Sequence, residues 1–477
     1  MSKAPLWKRI FAKEQPKEQP KERKSIVARF DAAGYSTENA KHWAAADYLS
    51  ADAEASESVR RTLRVRCRYE VANNSYAKGM LLTLANDTIG TGPRLQILSE
   101  DEDANSRIEG AFMRWSEKVD LPGKLRTARL ARCQDGEVFI LLAHNGKLND
   151  TVQLDLQLIE ADRISAASIY NETDSVDGIK FDSYGNPTSY RMLKYHPGSD
   201  EVGSNSVEFV QIPAENMIHY FRADRPGQHR GVPEITSALP LFAQLRRFTL
   251  AVLSAAEAAA DFAAILYTDT PPDGETEDVE PLDSIELRRN MMLTVPAGWK
   301  MGQLDPKQPC STYAEFKGQI LNEIARCLNM PFNIAAGNSS GYNYASGRLD
   351  HQTYFKSLRV ERSSMVTQIL NRIFALWLRE YILVTGEKVS PDVEHSWFWD
   401  GFEHVDPGKE ANAIDIKLKN GTTTYAAEYS KVGRDWEDEF MQIAKEKKRM
   451  AELGITLEDL TPADPENNVE KEQETDE

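Results

Sequence analysis

Two helical patterns in this chain are separated by a stretch that no helix can cross, and that stretch constrains the fold more than any other. Residues 312–329 (TYAEFKGQILNEIARCLN) place Phe316, Ile320, Leu321, Ile324 and Leu328 at the spacing of one helix face. Met330-Pro331 ends the pattern, because proline has no amide donor and biases its predecessor away from helix. Gly337, Asn338, Ser339, Ser340, Gly341 and Asn343 follow, all small or turn-forming. Helical periodicity restarts near Arg348 and runs to about Val384, strongly apolar and aromatic at Phe374, Trp377 and Tyr381 as a core helix is. Two long helices joined by a flexible segment are predicted, and periodicity leaves both a gate and a plain connector open.

Upstream of this break the pattern is mixed. Residues 56–84 read as one long or broken helix, with Asn73, Asn74 and Ser75 placed to interrupt and re-cap it. Residues 101–131 are helical again. The period then changes to two: 136–143, 152–159, 178–181, 188–195, 207–212 and 217–221 are short apolar runs divided by Gly, Asn and Pro turns. They predict one mostly antiparallel sheet of five or six strands. A long helix is expected from Glu234 to about Ala264, alanine-rich at its end, with Glu257 and Asp261 one turn apart. Residues 265–311 form a small unit with strand-like 265–268 and 291–295 around an acidic, proline-rich loop. Two final helices, 423–431 and 435–453, are split by Gly433, with Asp435 as N-cap and Gly454 as stop.

Composition excludes several classes. A net charge of −17 argues against a surface that grips DNA by its phosphates. No run approaches the roughly 18 apolar residues of a membrane span, and residues 1–24 lack a signal peptide's apolar core, so a cytoplasmic origin without a membrane is expected. The basic residues 1–24 and acidic residues 456–477 read as disordered tails. Cys67, Cys133, Cys310 and Cys327 form no CxxC pair, so no zinc site or disulfide framework is indicated. No phosphate loop, HExxH or GxSxG motif is present, and neither cofactor nor metal is expected. A Ser339, His351, Asp350 triad is disfavoured, because adjacent Asp350 and His351 diverge on a helix.

Six segments, taken in order, resemble one family. They are VANNSYAKGMLLTLANDTIGTGPRLQ (71–96), RLARCQDGEVFILLA (129–143), LQLIEADRI (156–164), IPAENMIHYFRADRPGQHRGVPEITSAL (212–239), MPFNIAAGNSSGYNYASGRLDHQTYFKSL (330–358) and VDPGKEANAIDIKLKNGTTTYAAEYSKVGRDWED (405–438). Each is weak alone, but the ordered set resembles the lambda-type portal proteins of tailed bacteriophages. One departure is Thr422-Thr423-Thr424-Tyr425, where the family pattern has Ser-Arg.

The resemblance implies an α+β, portal-type fold with wing, long stem helices, small clip and helical crown. It lays out a basic arm (1–24), wing (25–233), first stem helix (234–264), clip (265–311), second stem helix (312–330), tunnel loop (331–347), a long wing helix (348–384), crown helices (385–455) and an acidic tail (456–477). It implies a homo-oligomeric ring, typically of twelve subunits, at one capsid vertex of the virion, assembled in the host cytoplasm, through which double-stranded DNA is packaged and ejected. Expected partners are the terminase large subunit, major capsid and scaffold proteins, and head-completion or tail connector proteins. Gly337, Asn338, Ser339, Ser340, Gly341, Tyr342, Asn343 and Tyr344 would form the DNA-facing loop, Glu257 and Asp261 would face the stem lumen, and Asp273, Glu275, Glu277 and Asp278 would dock terminase. No catalytic residue is implied. Two other readings stay open: a phage-assembly hydrolase or protease using Ser339 or Ser340, and a head-tail completion ring without DNA translocation.

Overall fold

An asparagine divides the first long helical stretch. Asn74 takes an extended backbone between α1 (Glu57–Asn73) and α2 (Ser75–Ile89), and its side chain accepts hydrogen bonds from the amides of Tyr76 and Ala77. This is the interruption and restart that the sequence predicts. The computed structural model describes residues 41–166, 175–199, 208–261, 265–268, 299–302, 313–401 and 407–454. Ala51–Glu477 forms one compact unit and Met1–Ser50 another, of which residues 41–50 are described and exposed.

After β1 (Arg94–Ile97), Asp101 caps α3 (Glu102–Lys118) by accepting from the Ala104 amide at 3.0 Å. Asp120, in the left-handed region, caps α4 (Leu121–Asp135), with Pro122 in its first turn. Strands β2 (Glu137–His144) and β3 (Leu154–Glu160) form a hairpin; β4 (Ser175–Val176), β5 (Ile179–Phe181), β6 (Pro187–Leu193), β7 (Phe209–Pro213) and β8 (Met217–Phe221) follow. All ladders among them are antiparallel. They build two sheets rather than the single one expected, in the orders β3-β2-β8 and β4-β5-β6-β7. The reason lies in two short 3-10 turns. Ala161–Arg163 carries the chain out of the first sheet, and Ala214–Asn216, after a proline that cannot donate, brings β8 back beside β2. Phe139, Ile159, Ile164, Ile179, Tyr190, Met192 and Met217 make one buried cluster from residues of both sheets.

The long helix begins later than predicted. A 3-10 turn, Thr236–Ala238, precedes α5 (Leu239–Asp261), whose second residue is Pro240, a residue tolerated only in the first turn. Next, β9 (Ile265–Thr268) pairs with β10 (Trp299–Gly302); the strand expected at 291–295 lies outside the described residues. Helices α6 (Tyr313–Cys327), α7 (Phe332–Ala336) and α8 (Tyr344–Met365) follow, the last running through a π turn, Val366–Leu370, into α9 (Asn371–Thr385). Strand β11 (His395–Phe398) returns to pair with β1, a ladder absent from the sequence reading. The described chain ends in α10 (Pro407–Lys419), α11 (Tyr425–Lys431) and α12 (Trp436–Leu453), the last capped by Asp435 and stopped by Gly454 as predicted.

Two large cores hold these elements. One gathers α3, α4, β2, β3 and α9 around Phe112, Trp115, Phe374 and Trp377; Trp115 satisfies its indole by donating to the Leu154 carbonyl at 2.8 Å. The other joins α2, α5, α6 and α8 through Met80, Leu81, Phe242, Leu321, Ile324, Tyr354 and Leu358. Between them the backbone crosses itself. Gly136, at φ +90°, has its Cβ position 2.5 Å from the Val232 carbonyl carbon, and a Cβ on Gly231 would lie 2.2 Å from the Gly136 oxygen. No side chain fits at either place, since the obstacle is main chain. Gly231→Ala is therefore expected to destabilise the fold by more than 2 kcal/mol, above the about 0.5 kcal/mol of an ordinary surface change, whereas Gly341→Ala, in open space, stays within that margin. Equal urea midpoints for the two variants would contradict this crossing.

Candidate channel loop and its buried support

The break that opened the sequence reading is a series of turns. Helix α6 ends at Cys327, Asn329 adopts φ +52°, and Pro331 precedes the short α7, so part of the expected loop is helical. Gly337 at φ +62° closes α7, and the Asn338 amide donates to the Asn333 carbonyl at 3.0 Å. The Asn338 side chain accepts from the Ser340 amide at 3.0 Å, and the Tyr342 amide reaches the Ser339 carbonyl at 3.1 Å. Helix α8 starts at Tyr344, four residues before the predicted restart. The span between helices is thus 337–343, and its members other than Tyr342 are exposed.

Tyr342 turns back onto the base of the loop. Its ring lies against Gly347, where an added Cβ would be 3.7 Å from Cδ1. Burial raises the phenol above its ordinary value, and the neighbouring Asp350 carboxylate raises it further. Beside it Asn333, nearly buried, bonds His351 Nε2 through Nδ2 at 3.0 Å. That imidazole nitrogen is thus engaged by Asn333 rather than by Ser339 or Ser340.

Helix α8 is anchored by charge. Glu361 accepts from Arg132 at 2.5 Å and from the Tyr220 hydroxyl at 2.6 Å. Arg132 and Arg129, one turn apart on α4, both bind Glu234, at 2.8 Å and 3.1–3.2 Å. Tyr354 donates to Asp87 at 2.8 Å, and Arg362 spans the carbonyls of Thr88, Asp87 and Asp400 at 2.8–3.0 Å. A second buried carboxylate, Glu137, takes Arg230, His219 and the Gly231 amide at 2.7–3.0 Å. Arg60, Arg64 and Arg68, each one turn apart on α1, reach Asp177, Asp162 and Asp135.

Burial alone would raise these carboxyls, but the guanidiniums prevail. Glu234 is held far below its ordinary range by Arg129 and Arg132, and Glu137 by Arg230 and His219, while Glu361 is lowered by the same two arginines as Glu234. Burial pushes the Cys67 thiol up to about 12 and raises that of Cys133, which keeps both protonated and inert. Glu160, Asp162 and His196 bring their ligand atoms close enough for a metal ion. However, Gly198 donates its amide to His196 Nδ1 at 3.0 Å, leaving the proton on Nε2 facing Glu160, and Asp162 is already paired with both Arg64 and Arg68. Asp162 thus belongs to the ion pairs made by the arginines of α1.

Glu257 lies exposed on α5 and Asp261 closes the same helix. Asp273, Glu275, Glu277 and Asp278 lie outside the described residues. What the sequence reading missed is the charged support beneath the loop. Its signal was present as arginines one turn apart on α1 and α4.

The family model for lambda-family phage portal proteins matches residues 37–362, well over half of the chain. The chain belongs to that family. Portal proteins are structural rather than catalytic components of the virion. A probable portal protein of Halomonas phage phiHAP-1 is 24% identical over 488 residues, covering 95% of this chain and 92% of the relative. Portal protein B of Escherichia phage lambda is 20% identical, with 81% and 83% covered. Among solved structures, the neck of an empty gene transfer agent particle gives a TM-score of 0.47 at 13% identity, covering 77% of this chain and 92% of that one.

Within this portal chain the Glu234 network has a measurable signature. A carboxyl titrating lower when folded contributes stability that is full above its ordinary value of 4.5 and fades as pH falls towards the folded value. Glu234→Gln leaves two buried guanidiniums under-compensated, so a loss of about 3–5 kcal/mol at neutral pH is expected. The variant should also show a shallower decline of urea stability below about pH 4.5. An acid profile parallel to that of the unsubstituted chain would show that Glu234 does not carry the linkage.

Proposed function

We propose that this portal chain assembles into a homo-oligomeric ring at one capsid vertex, in the host cytoplasm, and forms the channel for double-stranded DNA in packaging and ejection. The observation that carries the reading is the loop: residues 337–347 contain no charged side chain, its tip is exposed, and the helix that follows it is pinned by a buried ion pair and a tyrosine–aspartate hydrogen bond. A surface past which a polyanion slides must avoid cationic contacts that release counterions and hold phosphate. Gly337, Asn338, Ser339, Ser340, Gly341 and Asn343 offer weak polar contacts, while Tyr342 is turned into the loop base. Tyr344 is the first residue of α8.

The chain's acidity supports the same reading, since like charge on a channel wall discourages adhesion. On this layout Glu257 and Asp261 face the lumen. The unit at 265–311, with Asp273, Glu275, Glu277 and Asp278, docks the terminase large subunit and later the head-completion or tail connector proteins. Capsid and scaffold proteins surround the ring.

Electron microscopy of the purified protein should show rings whose pore is narrowed by residues 337–343; monomers under all assembly conditions would sink the proposal. Ser340→Lys in every subunit should slow packaging in a salt-dependent manner, because each new ammonium makes a phosphate contact that added salt weakens. Packaging at the unsubstituted rate in low salt would place the loop away from DNA. Deleting residues 269–283 should abolish terminase docking and leave rings intact, and normal docking after that deletion would remove the assignment of that unit.

A further inference from the structure

The outer face of the four-stranded sheet carries a cleft of about 120 Å³ lined by Ser175, Gly178, Lys180, Ser189, Arg191 and Gln211. Strand register explains why these residues meet. Ser175 and Ser189 each stand directly opposite Lys180, and Gln211 opposite Arg191, while Ser189 and Arg191 are two apart on β6. Opposed and alternate residues share a face, so all five side chains leave the sheet on one side. The other side holds the apolar residues Ile179, Tyr190 and Met192. Asp177-Gly178 turns the β4-β5 hairpin with both φ values positive, and Gly178 adds no side chain to fill the cleft.

The lining is rich in donors. Lys180 is exposed, and the Arg191 guanidinium is set over the Phe209 ring at 5.6 Å. Gln211 donates its amide to Ser189 Oγ at 2.9 Å, so the serine oxygen is occupied as acceptor and its own proton is available to the cleft. Among the described residues no carboxylate lines the space, although the chain carries a net charge of −17. The volume holds several water-sized groups. Two cations, two hydroxyls and an amide around such a volume match an acceptor-rich group of small size.

We propose that this cleft is a binding site for a phosphate-sized oxyanion, with Lys180 and Arg191 supplying charge and Ser189 orientation. The site lies within one chain, so it stands whether or not the ring reading holds. Isothermal titration of the full-length protein with inorganic phosphate, against chloride at equal ionic strength, tests it. Saturable phosphate binding is expected, weakened about ten-fold or more in Lys180→Ala and in Ser189→Ala, and unchanged in Lys147→Ala, an exposed lysine elsewhere. No saturable heat with the unsubstituted protein overturns the proposal. Equal affinity in all three variants likewise overturns it, since phosphate then binds elsewhere. Because Lys180 is exposed, its removal leaves the fold intact, and an unchanged circular dichroism spectrum verifies that.

Discussion

Two arginines on one helix face and the two carboxylates they bind set the geometry on which the rest of the molecule depends. Arg129 and Arg132 of α4 hold Glu234, which leads into α5, and Arg132 also holds Glu361 of α8. Moving any of these charges out of water is costly unless its partners are in place. An apolar contact of equal size would tolerate a slide along the helix axis; this one does not. A shift of α8 by one turn would strand Glu361 and leave Arg132 half-satisfied. The helix that follows the exposed loop is therefore fixed in register, while the loop itself carries no charge.

The legible parts of this fold are those written in neighbouring residues. Asn74 and Asp435 begin helices by accepting from amides a few positions away, Gly454 ends one by donating its own amide to the carbonyls of Met450 and Ala451, and their roles could be read directly. The break after Met330 was visible for the same reason, although the single turn of α7 was hidden between proline and glycine. Illegible parts depend on partners far along the chain. Glu234 and Arg129 are 105 positions apart, and β1 pairs with a strand some three hundred residues later. Charged residues also read as solvated by default, so the one-turn spacing of the arginines on α1 and α4 was a weak local sign of their burial. The two sheets merged into one in the sequence reading because alternation records that a strand has an inner face, not which neighbour it pairs with.

The loop and its support divide the labour between chemistry and mechanics. The tip carries only small uncharged side chains, and the stiffness that such residues cannot supply comes from the helix that follows them. Tyr342 links the two, since its ring rests on the first turn of α8 rather than at the tip. Membership in the portal family fits a scaffold of this kind, in which shape and placement matter and no reacting group is required.

Arg362 shows how such an architecture survives change in its sequence. Its guanidinium is held by three carbonyls of the main chain, at Asp87, Thr88 and Asp400, and every residue type presents that same oxygen. The acceptor positions can therefore drift with this joint intact, while the donor position carries the whole burden. Fragility in this part of the molecule is concentrated at one side chain.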